Sequence, residues 1–164
     1  MPVVLSNMVE DDLLRLYGSL IDELRRREVV RTANNPIADV AEGLFCGAFG
    51  WTRASKEAKS HDAFDANGLK YEIKARRITP HSKSRQLSAI RSLEGFDFLA
   101  GVLFNGDFSI LRAALVPAEV VKHGATRAEH TNSWRFLLRD SVWREPGVND
   151  VTEKLTKYLE GKAT

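Results

Sequence analysis

The sequence predicts an α/β protein in which a mixed central sheet is flanked by helices. Apolar residues recur at helical spacing over residues 9–29, whereas residues 69–75 alternate between apolar and charged side chains. Residues 98–104 are almost wholly apolar, as in a strand that is buried on both faces. With 164 residues, 43% of them hydrophobic, we expect a single domain spanning residues 1–164 with a substantial core.

Composition excludes several classes of protein. No stretch is long and apolar enough to span a membrane, and the first residues do not resemble a signal peptide. Cys46 is the only cysteine, which excludes a disulfide framework and a zinc site built from thiolates. We therefore expect a cytoplasmic protein without a membrane partner.

Charge is concentrated in one part of the chain. The formal net charge is only +2, but residues 70–91 contain seven lysines and arginines and a single acid, Glu72. A local excess of positive charge is typical of surfaces that bind phosphate groups. It is also found on solvated surfaces without a partner, so charge alone does not decide between the two.

Two helices are predicted before the first strand. The first covers residues 9–29, and its apolar stripe either packs within the monomer or contacts a second copy. Leu13, Leu16, Tyr17 and Leu20 form that stripe. The second helix should begin with Asn35 as its cap and Pro36 at its first position, and it should end at Gly50. Glu42 lies at the edge of its apolar face, where the carboxylate either enters a cleft or is solvated.

A hairpin follows the second helix. Short strands are predicted at residues 51–53 and 62–65, and Asn67-Gly68 is a turn signal that leads into the strand over 69–75. Thr79-Pro80 ends that strand. A further helix is predicted over residues 83–93 because Leu87, Ile90 and Leu93 recur at a spacing of three.

The remaining elements complete the sheet and its cover. Strands are predicted over residues 98–104 and 108–114, joined by a turn at Asn105-Gly106, and a short helix should follow Pro117. A late strand is predicted over 134–138, and Asp150 should cap a last helix that ends near Glu160. No functional motif is recognisable in this C-terminal third.

The strongest candidate site is formed by Asp62, Glu72 and Lys74. With the turn at Asn67-Gly68, the two carboxylates come close on neighbouring strands, and period-two alternation places Lys74 on the same face as Glu72. Carboxylate oxygens can hold a hard cation, and an ammonium group beside them can orient a water or balance charge that develops on a phosphate. A solvated strand face is the alternative interpretation of the same pattern.

Residues 60–74 (SHDAFDANGLKYEIK) resemble the core hairpin of the PD-(D/E)XK nuclease superfamily, which includes many restriction endonucleases and archaeal-type Holliday junction resolvases. The predicted order helix, strand, strand, strand, helix, strand over residues 36–104 is similar to the restriction-endonuclease-like core, here with an N-terminal helix and a C-terminal extension. The resemblance implies that Asp62, Glu72 and the Ile73 carbonyl bind Mg²⁺, for which Mn²⁺ can substitute. It also implies that Glu42 contributes from the preceding helix and that Lys74 is the catalytic lysine.

The resemblance implies a Mg²⁺-dependent nuclease that hydrolyses phosphodiester bonds, with DNA as the favoured nucleic acid. Two alternatives remain open: a nucleic-acid-binding subunit that acts only within a larger complex or is inactive alone, and an interaction domain without a site. A homodimer through the first helix would supply two active sites for cutting both strands. The residues expected to contact nucleic acid follow the lysine strand: Arg76, Arg77, Lys83, Arg85 and Gln86.

Overall fold

The computed structural model describes residues 3–32, 35–55, 57, 58 and 60–163. The helices are α1 (Glu10–Arg26), α2 (Ile37–Phe49), α3 (Ala118–Gly124) and α4 (Thr152–Lys162). The strands are β1 (Thr52–Arg53), β2 (Ala63–Phe64), β3 (Lys70–Arg77), β4 (Phe98–Phe104), β5 (Ile110–Pro117), β6 (Thr126–Ala128), β7 (Ser133–Arg135) and β8 (Asn149–Asp150). The α/β class predicted from the sequence is confirmed.

Six of the strands form one mixed sheet in the order β1-β2-β3-β4-β5-β8. Only β3 and β4 run parallel, and the other neighbouring strands of this sheet are antiparallel. Strands β6 and β7 form a separate antiparallel pair. Strand β3 carries the predicted site. Its first residues pair with β2 on one side and with β4 on the other. Since β2 is only two residues long, the later part of β3 has an open edge.

Two hydrophobic clusters cover the two faces of the sheet. Helices α2 and α4 pack on one face, where they bury Tyr71, Ile73 and Ala75 of β3. The segment 78–97, which crosses from β3 to β4, covers the other face together with α3. Because side chains alternate along a strand, Glu72 and Lys74 belong to the face that the crossover segment covers.

The helix predicted over residues 83–93 is wrong. All of these residues are described, and they form an irregular segment with short extended pairings instead. The backbone N–H groups of Leu87 and Ile90 donate to the carbonyls of Phe136 and Trp134, both at 3.0 Å. The Ser84 hydroxyl accepts a hydrogen bond from a nearby backbone N–H at 3.1 Å, a contact that competes with helix formation.

The boundaries of α2 follow from its terminal residues. The helix begins at Ile37 with Pro36 as its N-cap, one residue later than predicted, and Asn35 Oδ1 accepts a hydrogen bond from the Ile37 N–H at 3.1 Å. At the other end Gly50 adopts a left-handed conformation, with φ of 69°, and ends the helix. These two ends fix which face of α2 meets the sheet, and they place Glu42 one helical turn inside the start of the helix.

Helix α1 stands apart from both hydrophobic clusters. None of its residues is buried, and its stripe includes Leu13, Tyr17 and Leu20, which are 36%, 63% and 55% exposed. Leu16 is half-buried, so the described part of the chain covers the stripe only in part. Within the described residues, no helix combines the length and apolar character needed to cross a membrane.

Candidate active site

An open cavity of about 460 Å³ runs along the free edge of β3. The start of α2 borders it on one side and the beginning of the crossover segment on the other. Strand β3 lines it with five consecutive residues, Ile73 to Arg77, and Glu42 and Asp62 also line it. The cavity thus lies where β2 has ended, so residues from both faces of the sheet can reach it. We call it the acidic cleft.

Asp62 is held at the point where β2 and β3 separate. The strands pair with Ala63 opposite Tyr71, and the Asp62 N–H donates to the Tyr71 carbonyl at 2.8 Å. Asp62 Oδ2 in turn accepts a hydrogen bond from the Ile73 N–H at 2.7 Å. The N–H and C=O of one strand residue point to the same edge, so we expect the Ile73 carbonyl to face this cleft as well.

The turn that sets this register depends on a second aspartate. Asp65 Oδ1 accepts hydrogen bonds from the N–H groups of Asn67 and Leu69, and Asp65 Oδ2 accepts one from the Tyr71 hydroxyl at 2.9 Å. Gly68 completes the turn with φ of 80°, a conformation that favours glycine. Asp65 therefore holds the hairpin in register and does not line the cleft.

Glu72 and Lys74 form a close ion pair beside Asp62. Lys74 Nζ lies 2.9 Å from Glu72 Oε1, and both side chains are largely shielded from solvent. Burial raises the pKa of the Glu72 carboxyl to about 7; Lys74 opposes this rise, while the negative charges of Asp62 and Glu42 add to it. One lysine thus only partly compensates the acids of the cleft.

Glu42 reaches the same group of charges from α2. Burial raises the pKa of the Glu42 carboxyl, and the neighbouring negative charge of Asp62 raises it further. Arg53 and Arg31 act in the opposite direction. The structure therefore brings the predicted residues Glu42, Asp62 and Lys74 to one cleft, with Glu72 paired to Lys74 beside it.

The oxygen atoms that these residues offer are suitable ligands for a hard divalent cation. Three carboxylates and a backbone carbonyl are oxygen ligands of the kind that Mg²⁺ prefers. In the described part of the chain, however, no group of three or more His, Cys, Asp or Glu side chains is arranged to hold a metal ion. The Ile73 N–H donates to Asp62 Oδ2 and Lys74 is paired with Glu72 Oε1, so a metal ion would have to share these carboxylates with their present partners.

The residues predicted to contact nucleic acid are in different situations. Arg76 lines the cleft and donates to the Ser82 hydroxyl at 2.7 Å. Arg77 also lines it, but its Nε donates to the Gly106 carbonyl at 2.8 Å. Lys83 is exposed directly after Ser82. Arg85 is held away by an ion pair with Asp140 at 2.7 Å.

Gln86 is half-buried, and its backbone forms a β-bridge with that of Leu137 on the sheet face that the crossover segment covers. No helix begins at Lys83, so the backbone N–H groups of a helix N-terminus do not contribute to phosphate binding there. Arg76, near the end of β3, and Lys83, in the crossover segment, are therefore the predicted basic residues whose charges are best placed for a ligand. Sequence reasoning missed Arg31 and Arg53, because tertiary contacts bring them near Glu42: Arg53 through the packing of β1 on α2, and Arg31 through its backbone N–H, which donates to Asp39 Oδ2 at 2.9 Å.

Acids, an ammonium group and guanidinium groups around one open cleft can bind a cation and a phosphate ester together. The same groups can orient a water molecule and stabilise negative charge on a reacting phosphate. No known family model matches this chain, and a search of curated proteins finds none that is similar in sequence.

Proposed function

We propose that this protein is a Mg²⁺-dependent nuclease that hydrolyses phosphodiester bonds, with DNA as its preferred nucleic acid. The observation that carries the proposal is the meeting of Glu42, Asp62 and Lys74 in one cleft, with Glu72 beside them. The order and spacing of Asp62, Glu72 and Lys74 along the hairpin resemble the core of the PD-(D/E)XK superfamily. The parallel pairing of β3 with β4 agrees with a restriction-endonuclease-like core, although the crossover between them has no helix.

Asp62, Glu72 and the Ile73 carbonyl would hold the ion, with Glu42 contributing from α2. When bound, Mg²⁺ supplies Lewis-acid polarisation of a phosphoryl oxygen and lowers the pKa of a coordinated water. The carboxylates suit this task because the charge of one lysine only partly offsets theirs. A divalent cation would relieve their mutual repulsion, and Glu72 would then stay ionised at neutral pH.

Lys74 has a separate task. Its ammonium group has no lone pair and cannot be a metal ligand. While Glu72 is paired with it, the ammonium group lies at the wall of the cleft with little exposure to solvent. Once Glu72 turns toward a cation, Lys74 becomes able to donate to the attacking water or to a phosphate oxygen, where it stabilises negative charge. Arg76, held by Ser82, would bind a neighbouring phosphate.

A second function has an observation in its favour. Because Asp62 and Glu72 already have partners within the chain, the isolated protein can be a nucleic-acid-binding subunit whose carboxylates turn only within a larger complex, or not at all. That subunit would bind nucleic acid through Arg76 and Lys83 without cutting it. The two functions differ in whether the isolated chain cleaves.

The deciding experiment is incubation of the purified protein with supercoiled, linear and single-stranded DNA and with RNA, in Mg²⁺ or Mn²⁺. We expect cleavage of DNA that disappears with EDTA and in Asp62→Ala and Glu72→Ala. Lys70→Ala is a matched control, since Lys70 lies exposed at the start of the same strand. Binding without cleavage in either metal would favour the subunit. Neither binding nor cleavage would refute both functions.

We also propose that α1 pairs with α1 of a second copy. Its apolar stripe is largely exposed, and the same stripe of a second copy related by a two-fold axis would cover it. Such a dimer would present two clefts to a duplex. Light scattering that shows a monomer at every micromolar concentration, with and without DNA, would refute it.

A further inference from the structure

We propose that Arg25, Arg31 and Arg53 bind a phosphate group of the nucleic-acid strand on the Glu42 side of the acidic cleft. These arginines line an open cavity of about 610 Å³, together with Glu28 and Val30. We call it the arginine cavity. The inference rests on the proposed function, because it extends the path of the same strand beyond the cleft.

The turn at the C-terminal end of α1 brings Arg25 and Arg31 to the cavity. Glu28 adopts a left-handed conformation with φ of 60°, and the N–H groups of Val29 and Val30 donate to the Leu24 carbonyl, which ends the helix. Val30 is 2% exposed and anchors the turn to the body of the protein. Arg25 before this turn and Arg31 after it therefore lie at the same cavity.

The third arginine comes from β1, next to the hairpin of the active site. The residue after it, Ala54, donates its N–H to the Asp62 carbonyl at 2.9 Å. Gly43 of α2 leaves room for the guanidinium group, since a Cβ at that position would lie 3.1 Å from Arg53 Nη2. Arg53 is thus packed against the helix that carries Glu42 and cannot swing freely into solvent.

The charges of the arginine cavity are available to a ligand. Among the described residues, Arg31 and Arg53 form no salt bridge with a carboxylate, and the ion pair of Arg25 with Asp22 is long, at 3.9 Å. Guanidinium groups are suited to phosphate because their donors match its oxygens in pairs. Glu28 is the one acid in the lining, so the cavity retains a net positive charge.

The arginine cavity adjoins the acidic cleft. Arg53 packs against Gly43, the chain neighbour of Glu42, and the residue after Arg53 donates its N–H to the carbonyl of Asp62. Arg76, near the end of β3, is held by Ser82 on the side of the cleft formed by the crossover segment, and the exposed Lys83 follows Ser82. A strand whose reacting phosphate lies over Asp62 would therefore meet positive charge on both sides. A free phosphate ion could use only one of these groups, so the two-sided arrangement fits a polymer.

The test compares two variants of equal charge by fluorescence anisotropy, with labelled single-stranded and duplex DNA in EDTA. Arg25→Gln/Arg31→Gln removes two exposed guanidinium groups and leaves the packed Arg53 in place. Arg15→Gln/Arg144→Gln removes two exposed arginines that do not line the arginine cavity. Unchanged melting temperatures show that both variants fold. Inorganic phosphate is tested as a competitor in a parallel series.

We expect the cavity variant to lose about ten-fold in affinity for each arginine removed, because each loses charge-assisted hydrogen bonds. The slope of log K against log salt should fall by about two, whereas it should change little in the control variant. Glu28→Gln should tighten binding, since it removes the acid from the lining. Equal losses in both double variants would overturn the inference, because only overall charge would then matter.

Two further outcomes separate the causes of failure. If wild-type protein binds and cuts DNA while the cavity variant behaves as wild type, the inference is wrong and the proposed function stands. If wild type binds neither DNA nor RNA, the proposed function itself is wrong. If millimolar inorganic phosphate stabilises wild type but not the cavity variant, while both bind DNA equally, the cavity holds a free anion and the assignment to a strand is overturned.

Discussion

Replacement of Glu72 by glutamine should make the metal-free protein more stable at alkaline pH. The Glu72 carboxyl has a pKa of about 7 in the folded protein, against an ordinary value of 4.5. Well below pH 4.5 the Glu72 carboxyl is protonated in the folded and the unfolded state, so it does not change the free energy of unfolding. As pH rises from 4.5 to 7 the folded state holds more protons than the unfolded state, so stability falls. Above pH 7 ionised Glu72 lowers the free energy of unfolding by its full amount.

The magnitude follows from the difference between the two pKa values. Each unit corresponds to about 1.4 kcal/mol, so ionised Glu72 lowers the free energy of unfolding by about 3 kcal/mol at pH 8. Only 11% of the side chain is exposed, which leaves little screening by solvent. Glutamine keeps the shape and an oxygen that can accept from Lys74. We therefore expect Glu72→Gln to gain up to about 3 kcal/mol at pH 8 and less than about 1 kcal/mol at pH 5.

Urea denaturation at pH 5 and pH 8, in EDTA, measures the difference in the free energy of unfolding between wild type and Glu72→Gln. Adding Mg²⁺ should then narrow the difference between the two proteins at pH 8. At ten times its dissociation constant a ligand stabilises the folded state by about 1.4 kcal/mol, and we expect this for wild type but not for Glu72→Gln. An equal difference between the proteins at both pH values would refute the electrostatic reasoning. Equal stabilisation by Mg²⁺ would refute Glu72 as a ligand.

Three other changes have defined outcomes. Lys74→Met should retain metal and DNA binding but lose about 10²–10⁴ in single-turnover cleavage rate, while Lys70→Met cuts as wild type does; cleavage of Lys74→Met at the wild-type rate would exclude the lysine. Glu28→Gly should raise the free energy of unfolding by about 1 kcal/mol in urea denaturation, because glycine adopts a left-handed conformation without strain; a loss of stability would mean that the Glu28 side chain has a contact more valuable than that strain. Leu20→Asp should give a monomer by light scattering where wild type is a dimer, and an unchanged mass would exclude α1 as the contact.

Local signals predicted the elements that position the site. The turn at Gly68 fixes the register of the β2–β3 hairpin, and a fixed register decides which side chains face one another. For the same reason the meeting of Asp62 with Glu72 could be predicted from their spacing. The strand over residues 98–104 was predicted with its observed bounds, because an uninterrupted apolar run fits a strand buried on both faces.

Other features depend on contacts that no local pattern contains. The spacing of Leu87 and Ile90 suits a helix and equally suits a segment whose backbone pairs with residues 134–136. The stripe on α1 shows which face is apolar but not whether anything in the monomer covers it. Arg53 approaches Glu42 through the packing of β1 on α2, and Arg31 through the hydrogen bond of its N–H to Asp39, so their positions near the cleft required the tertiary structure.

The irregular crossover from β3 to β4 has a consequence for the order in which the protein folds. Strands β4 and β5 are joined by residues 105–109, whereas β3 must reach β4 across residues 78–97, a loop about four times as long. Closing the longer loop costs about 1.2 kcal/mol more in chain entropy, and no helix forms within it to shorten the distance. We therefore expect the β4–β5 hairpin to form first and β3 to join it late. The hairpin of β2 and β3 can bring Asp62 and Glu72 together on its own, but the crossover segment would cover them only when β3 joins β4, so the cleft would be completed in the final stage of folding.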